Sequence, residues 1–333
     1  MHAQADITSR GAERVVAVAS PIAGAGMICP DTAYAALSPV AGRQKLHVAF
    51  GAYAGFKLLY PAGPLLVATG LGVIGPDGLG AELAMLGIAL LVPLWAVSVL
   101  WAKLVGKVDR AEAINSGQAT SHEPTAQVIR VFAPFGLLTA LLLCGGLIGI
   151  SGFGAIDFFL QPKGALWASA IFALRQTAAV QRLACWESAV RRTGSLLLVI
   201  GAASAFGAVL TRLVPIGDFA PVGSETATLV GLFALTVAFK LLQGASMATF
   251  AAVAPVAAPV VLASGAPPEA AVFAICLGSF VAILPNDSYY WLVRKDAFDD
   301  ETSASQVIWT LAGGATLQAL IGLALVLAVV TLL

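Results

Sequence analysis

Between Ala274 and Asp296 the chain runs AICLGSFVAILPNDSYYWLVRKD: an apolar stretch that climbs through Gly278 and Phe280 and breaks at Pro285. It then sets down Asn286, Asp287 and Ser288 before Tyr289, Tyr290 and Trp291 resume it. A backbone that stops being helical at membrane depth must be buried in protein or line a cavity, because lipid offers its freed N–H and C=O groups no partner. An interrupted helix carrying one acidic and two neutral polar side chains suits the mid-membrane solute site of a transporter. The competing reading makes Asn286 to Ser288 an ordinary loop beyond a span that ends at Pro285.

Which reading applies depends on the class of protein, and composition answers that. Hydrophobic residues make up 59% of the chain and charged ones 11%, with mean hydropathy +0.90, where a soluble domain carries about 25% charged residues. The expected fold is therefore an all-α polytopic membrane protein. Lys plus Arg balances Asp plus Glu at 18 each, so the basic surplus of a nucleic-acid binder is lacking and no nucleic-acid partner is expected. Cys29, Cys144, Cys185 and Cys276 lie in apolar stretches without C-x-x-C spacing and act as small packing residues. His2, His47 and His122 are too scattered to suggest a metal site. Neither a cofactor nor a serine, histidine and acid set of an enzyme is expected.

Along the chain, residues 1–14 form a polar N-terminal segment without the long apolar core of a cleaved signal. Residues 15–102 form a first, incomplete half. In it Val15 to Met27, broken by Pro21, Gly24, Gly26 and Pro30, is expected as a half-helix or a poorly formed first span. Leu46 to Tyr60 runs into a break at Pro61-Ala62-Gly63-Pro64. Leu79 to Trp101, at about 1.5 Å per residue, is roughly 34 Å long and spans. Residues 103–130 are a hydrophilic connection, with Lys103, Lys107 and Arg110 favouring the cytoplasmic side.

Residues 131–333 form the second half, holding the main motifs. It opens with a span over Val131 to Ile150. Gly164 to Leu183 is interrupted by Arg175, Gln176, Gln181 and Arg182, which places part of it at the interface. Ser195 to Leu213 and Leu229 to Leu242 are apolar, Gln243-Gly244-Ala245-Ser246-Met247 interrupts, and Ala248 to Leu262 resumes with Pro255 and Pro259 inside. Val307 to Leu333 is a last span.

Three of these stretches carry a resemblance. Phe239-Lys240-Leu241-Leu242-Gln243-Gly244-Ala245-Ser246, the Asn286-Asp287-Ser288-x-x-Trp291-Leu292 run, and the small-residue segment from Gly201 to Leu210 resemble the gluconate permease (GntP) family. Tyr60-Pro61-Ala62-Gly63-Pro64 is similar to that family's Pro-rich segment, so the likeness extends from about Leu46 onward. The resemblance implies an inverted-repeat transporter of the ion-transporter superfamily, with broken helices and re-entrant hairpins, in the inner cell membrane. It implies import of gluconate or a related small hydroxy acid with a proton, and it is compatible with a homodimer. Sodium coupling with a dicarboxylate is the alternative, as is a non-transporting or partner-dependent membrane protein. Relatives carry several more spans at the N-terminus, have Ser-His where this chain has Ile283-Leu284, and differ at Ala245, Ser246 and Met247.

The residues also suggest a repeat. Gly24-Ala25-Gly26-Met27, Ser38-Pro39-Val40-Ala41 and Tyr60-Pro61-Ala62-Gly63 correspond, at similar intervals, to Gly244-Ala245-Ser246-Met247, Ala254-Pro255-Val256-Ala257 and Leu284-Pro285-Asn286-Asp287. Two related hairpin pairs would place the site where they meet.

The expected substrate-binding set is Gly63, Pro64, Gln243, Gly244, Ser246, Thr249, Asn286 and Ser288. Backbone N–H groups at Gly63 and Gly244 would serve the carboxylate, and the side chains would serve the hydroxyls. Asp287 is the expected proton carrier, since a carboxylate beside an anionic substrate in low dielectric binds that substrate best when protonated. Its competing role is to cap a helix at the break. For Lys57 and Lys240 snorkelling towards the interface is the expected fate, with a role as charge partners the alternative.

Overall fold

The computed structural model describes residues 2–27, 29–73, 80–105, parts of 133–145, 154–191, 194, 198, 225–299 and 301–332. The described elements are α-helices and short 3-10 turns, and no strand occurs among them. Two compact units form. One joins Met1–Ala113 to Val199–Leu333, and the other is Ile114–Leu198.

In the first unit, α1 (His2–Gly26), α2 (Pro30–Leu37), α3 (Lys45–Leu58), α4 (Gly63–Leu71) and α5 (Gly80–Val105) lead into the chain's first half. The expected half-helix at Val15 to Met27 is instead the end of one continuous helix that passes through Pro21. Close packing explains its persistence: a Cβ at Gly55 would meet the Pro21 backbone, and one at Gly51 would meet the Ser20 hydroxyl. Glycines on α3 thus let α1 lie against it at backbone distance, as small residues do between membrane helices.

Further elements of that second unit and of the chain's second half follow. In the unit Ile114–Leu198, α6 (Gly154–Leu160) packs on α7 (Pro162–Gln176), and residues 179–191 are helical. The chain turns at Thr177 and Ala178, where Arg182 donates from Nε to the Thr177 carbonyl at 3.0 Å and from Nη2 to that of Arg175 at 3.2 Å. Arg182, one of the residues that interrupt this stretch, therefore closes the turn. Of the hydrophilic connection, Lys103 to Val105 form the last turn of α5 and residues 106–130 lie outside the described residues. Most of Val131 to Ile150 and of Ser195 to Leu213 lies outside them too.

Back in the first unit, the second half supplies α8 (Glu225–Gln243), α9 (Ser246–Ser264), α10 (Pro268–Gly278), α11 (Ser288–Ala297) and α12 (Ala304–Leu332). Among the described residues four helices, α5, α8, α9 and α12, are long and apolar enough to cross a membrane, and with the apolar composition they define an all-α membrane protein. The order of elements repeats. In each half a long helix ends at or just before a Gly, a second helix follows, and then come a third helix, a proline-containing break, a short helix and a long span. The packing repeats with it: α1 lies on α3 as α8 lies on α10, and α2 meets α11 as α9 meets α4. At the edges of the two proline-containing breaks, 59–62 and 279–287, Lys57 near the end of α3 donates to the carbonyl of Ser279.

Candidate functional site at the interrupted helices

The second break begins where α10 stops at Gly278. Ser279 caps it, and the backbone runs unwound through Ala282, whose φ of 61° is in the left-handed region. A non-glycine residue held there signals a conformation imposed by its surroundings. Asp287 then starts α11: its Oδ1 accepts the Tyr289 N–H at 3.0 Å, the geometry of an N-cap.

The other carboxylate oxygen is what makes the site. Asp287 Oδ2 lies 2.5 Å from Lys240 Nζ, and both side chains are buried, with Asp287 4% and Lys240 1% exposed. Lys240 Nζ also donates to the Gly244 carbonyl, at the C-terminal end of α8. The expectation that Lys240 snorkels to the interface is corrected by this partner: a carboxylate and a helix-end carbonyl inside the protein hold the ammonium better than the lipid boundary does. Lys57 is corrected likewise. It is fully buried, its Nζ donates to the Ser279 carbonyl, and it sits 3.6 Å from the centroid of the Tyr53 ring and 5.0 Å from that of Phe280. Aromatic faces and a carbonyl form a cation-binding environment.

An aromatic wall holds these groups in place. Tyr53 stacks on Tyr289 with ring centroids 5.3 Å apart, Tyr34 meets Tyr289 edge-on at 5.9 Å, and Tyr289 donates to the Ala49 carbonyl at 2.7 Å. α3 and α11, one from each half, are thereby locked together beside the ion pair.

The sequence-predicted residues divide into three groups. Asn286 and Ser288 are exposed on either side of Asp287. Asn286 Nδ2 donates to the Leu241 carbonyl at 2.8 Å, and Ser288 Oγ donates to Asp31 Oδ2 at 2.7 Å. Gln243 is exposed at the end of α8, and Asn286 takes a backbone carbonyl there rather than the Gln243 side chain. Ser246 is buried beside the Tyr53 phenol, and Thr249 spends its hydroxyl on the Ala245 carbonyl at 2.9 Å.

Gly244 does not act as a free donor. Gly244, at φ 76°, gives its N–H to the Lys240 carbonyl at 2.8 Å, which corrects its expected role at a substrate carboxylate. What it supplies is proximity, since a Cβ there would collide with the Asn286 carbonyl. The two breaks of the second half therefore touch through backbone. Gly63 and Pro64 are buried at the start of α4, where a Cβ on Gly63 would lie 2.8 Å from the Phe56 carbonyl and 3.0 Å from the Phe250 ring. Asp31, Tyr53 and Ser279 complete the cluster without having been singled out from sequence. The one signal for Asp31 is its place just after Pro30 in the first turn of α2, where an acid suits the helix dipole.

A membrane protein whose buried charges converge on interrupted helices is the class that this fold and site define. The family model described as GntP family permease matches residues 163–333, just over half of the chain, and the chain belongs to that permease family. The matched stretch contains Lys240, Gly244 and Asn286 to Ser288, while Tyr60 to Pro64 lies outside it. No curated protein matches the chain.

Proposed function

We propose that the chain imports gluconate or a related small hydroxy-carboxylate across the inner membrane together with a proton, and that the Lys240–Asp287 pair is where the two are coupled. The observation that carries this reading is a buried Lys240–Asp287 ion pair, 2.5 Å long, whose carboxylate sits at a helix break between exposed Asn286 and Ser288. Lys240 is the natural receptor for a substrate carboxylate, but Asp287 already holds it. An anion entering beside ionised Asp287 would place two negative charges around one ammonium in low dielectric, which is costly. A proton on Asp287 removes that conflict: the neutral acid releases Lys240, and the ammonium turns to the substrate. Asn286, Ser288 and Gln243 then meet the hydroxyls, with Gly63, Pro64, Gly244, Ser246 and Thr249 shaping the walls. When substrate leaves, Asp287 gives up its proton and re-forms the pair, so neither solute is released alone.

The test uses proteoliposomes and labelled gluconate. Asp287→Asn should bind and exchange substrate across the membrane but lose uphill accumulation under an inward proton gradient, because the amide mimics the protonated acid. Accumulation that survives in this variant at equal protein level removes the coupling role from Asp287. Absence of uptake by the wild type, for gluconate and for other small hydroxy acids, removes the substrate class.

A further inference from the structure

Lys57 has no part in the exchange just described, yet it is the more unusual of the two buried lysines. No carboxylate among the described residues forms an ion pair with it, and its ammonium rests on the Ser279 carbonyl and on the Tyr53 and Phe280 rings. The charged and titratable groups around it are Lys240 on α8, Asp287 at the head of α11, Cys276 on α10 and Tyr53 on its own helix. Ser279 is the C-cap of α10. A helix C-terminus presents unpaired carbonyls and a partial negative charge, and the end of an interrupted helix is where a transporter coordinates its coupling cation. Lys240 does the same at the end of α8, through the Gly244 carbonyl.

Both interrupted helices of the second half thus end on an ammonium tethered to the chain. We infer that Lys57 is a built-in cation that stands where a coupling Na⁺ would otherwise sit, at the Ser279 end of α10. The inference rests on the transport reading above for the word coupling, but the occupancy of the site does not. A packing role alone would be served by Met or Leu without the desolvation of an ammonium, whereas a tethered cation supplies the positive charge permanently and makes the protein indifferent to Na⁺.

The experiment compares full-length wild type with Lys57→Ala in detergent, in NaCl and in choline chloride of equal ionic strength. The wild type should melt at the same temperature in both salts. Lys57→Ala leaves the Ser279 carbonyl with the Tyr53 hydroxyl but no cation, and should gain a Na⁺-dependent rise of at least about 2 °C, since a ligand bound only by the folded state raises stability by mass action. Lys57→Arg, which keeps a cation, should stay indifferent. Na⁺-specific stabilisation of the wild type, or a monodisperse Lys57→Ala that responds no differently from wild type, overturns the inference. If Lys57→Ala aggregates, Lys57→Gln takes its place with the same two outcomes. If that also aggregates, the wild-type comparison decides alone. Because melting is read without substrate, a wild type that fails to take up gluconate refutes the transport proposal and leaves this result standing.

Discussion

The Lys240–Asp287 pair can be weighed by a double-mutant cycle. Lys240→Met keeps the length and apolar stem of the lysine but removes the ammonium, which leaves Asp287 buried with the Tyr289 N–H and deprives the Gly244 carbonyl of its donor. Breaking a buried pair in this way costs about 3–5 kcal/mol. Asp287→Asn should cost less, about 2–3 kcal/mol, because the amide oxygen still caps α11 while Lys240 keeps the Gly244 carbonyl. If the two residues acted independently, the double variant would lose the sum. Since each penalty is largely the uncompensated partner, the double variant should lose no more than Lys240→Met alone, a coupling of at least about 2 kcal/mol. Melting temperature in a single detergent is the readout, with differences compared rather than absolute stabilities, because membrane proteins in detergent need not unfold in two states. At about 2 °C per kcal/mol for a chain of this size, Lys240→Met should fall by roughly 6–10 °C. Additivity of the two single losses within about 0.5 kcal/mol would refute the reasoning, since it would mean that neither charge is held by the other.

Other perturbations test the surroundings of the pair. Tyr53→Phe should cost about 1 kcal/mol in melting experiments, the worth of its hydrogen bond to the Ser279 carbonyl, whereas Tyr53→Leu, which also removes the stack on Tyr289 and the face over Lys57, should cost about 3–5 kcal/mol. Gly244→Ala should lose more stability than Gly265→Ala. Both glycines have positive φ, so each pays about 1–2 kcal/mol for a left-handed alanine, but only at Gly244 does the new methyl meet another backbone, that of Asn286. Ser288→Ala should change stability by no more than about 1 kcal/mol, because its bond to Asp31 is exposed, yet it should raise the KM for gluconate uptake several-fold. An unchanged KM would take Ser288 out of the substrate site.

The class of protein was legible in the sequence, as were the neighbourhoods of its breaks, but not where every helix stops: α1 runs on through Pro21, and α10 ends at Gly278, well before Pro285. What was legible is local: membrane helices need long apolar runs, Gly244 ends its helix through a backbone angle that other residues avoid, and Pro61 and Pro285 lie in segments where no helix resumes at once. The polar tip at Asn286 to Ser288 was visible as well, whereas the cap that Asp287 makes on α11 entered the sequence reading only as the competing role. Only the tertiary structure decided which way the lysines turn. A lysine stem can carry its ammonium outward to headgroups or inward to a partner, and the chain near Lys240 looks the same in either case. The choice falls to Asp287, which is 47 positions away, and to the Gly244 carbonyl that the α8 break frees. Likewise Ser288 reaches Asp31 across 257 positions, and Lys57 reaches Ser279 across 222. Such contacts depend on how two halves of the chain pack against each other, and a buried charge is stable only where that packing delivers its counterpart.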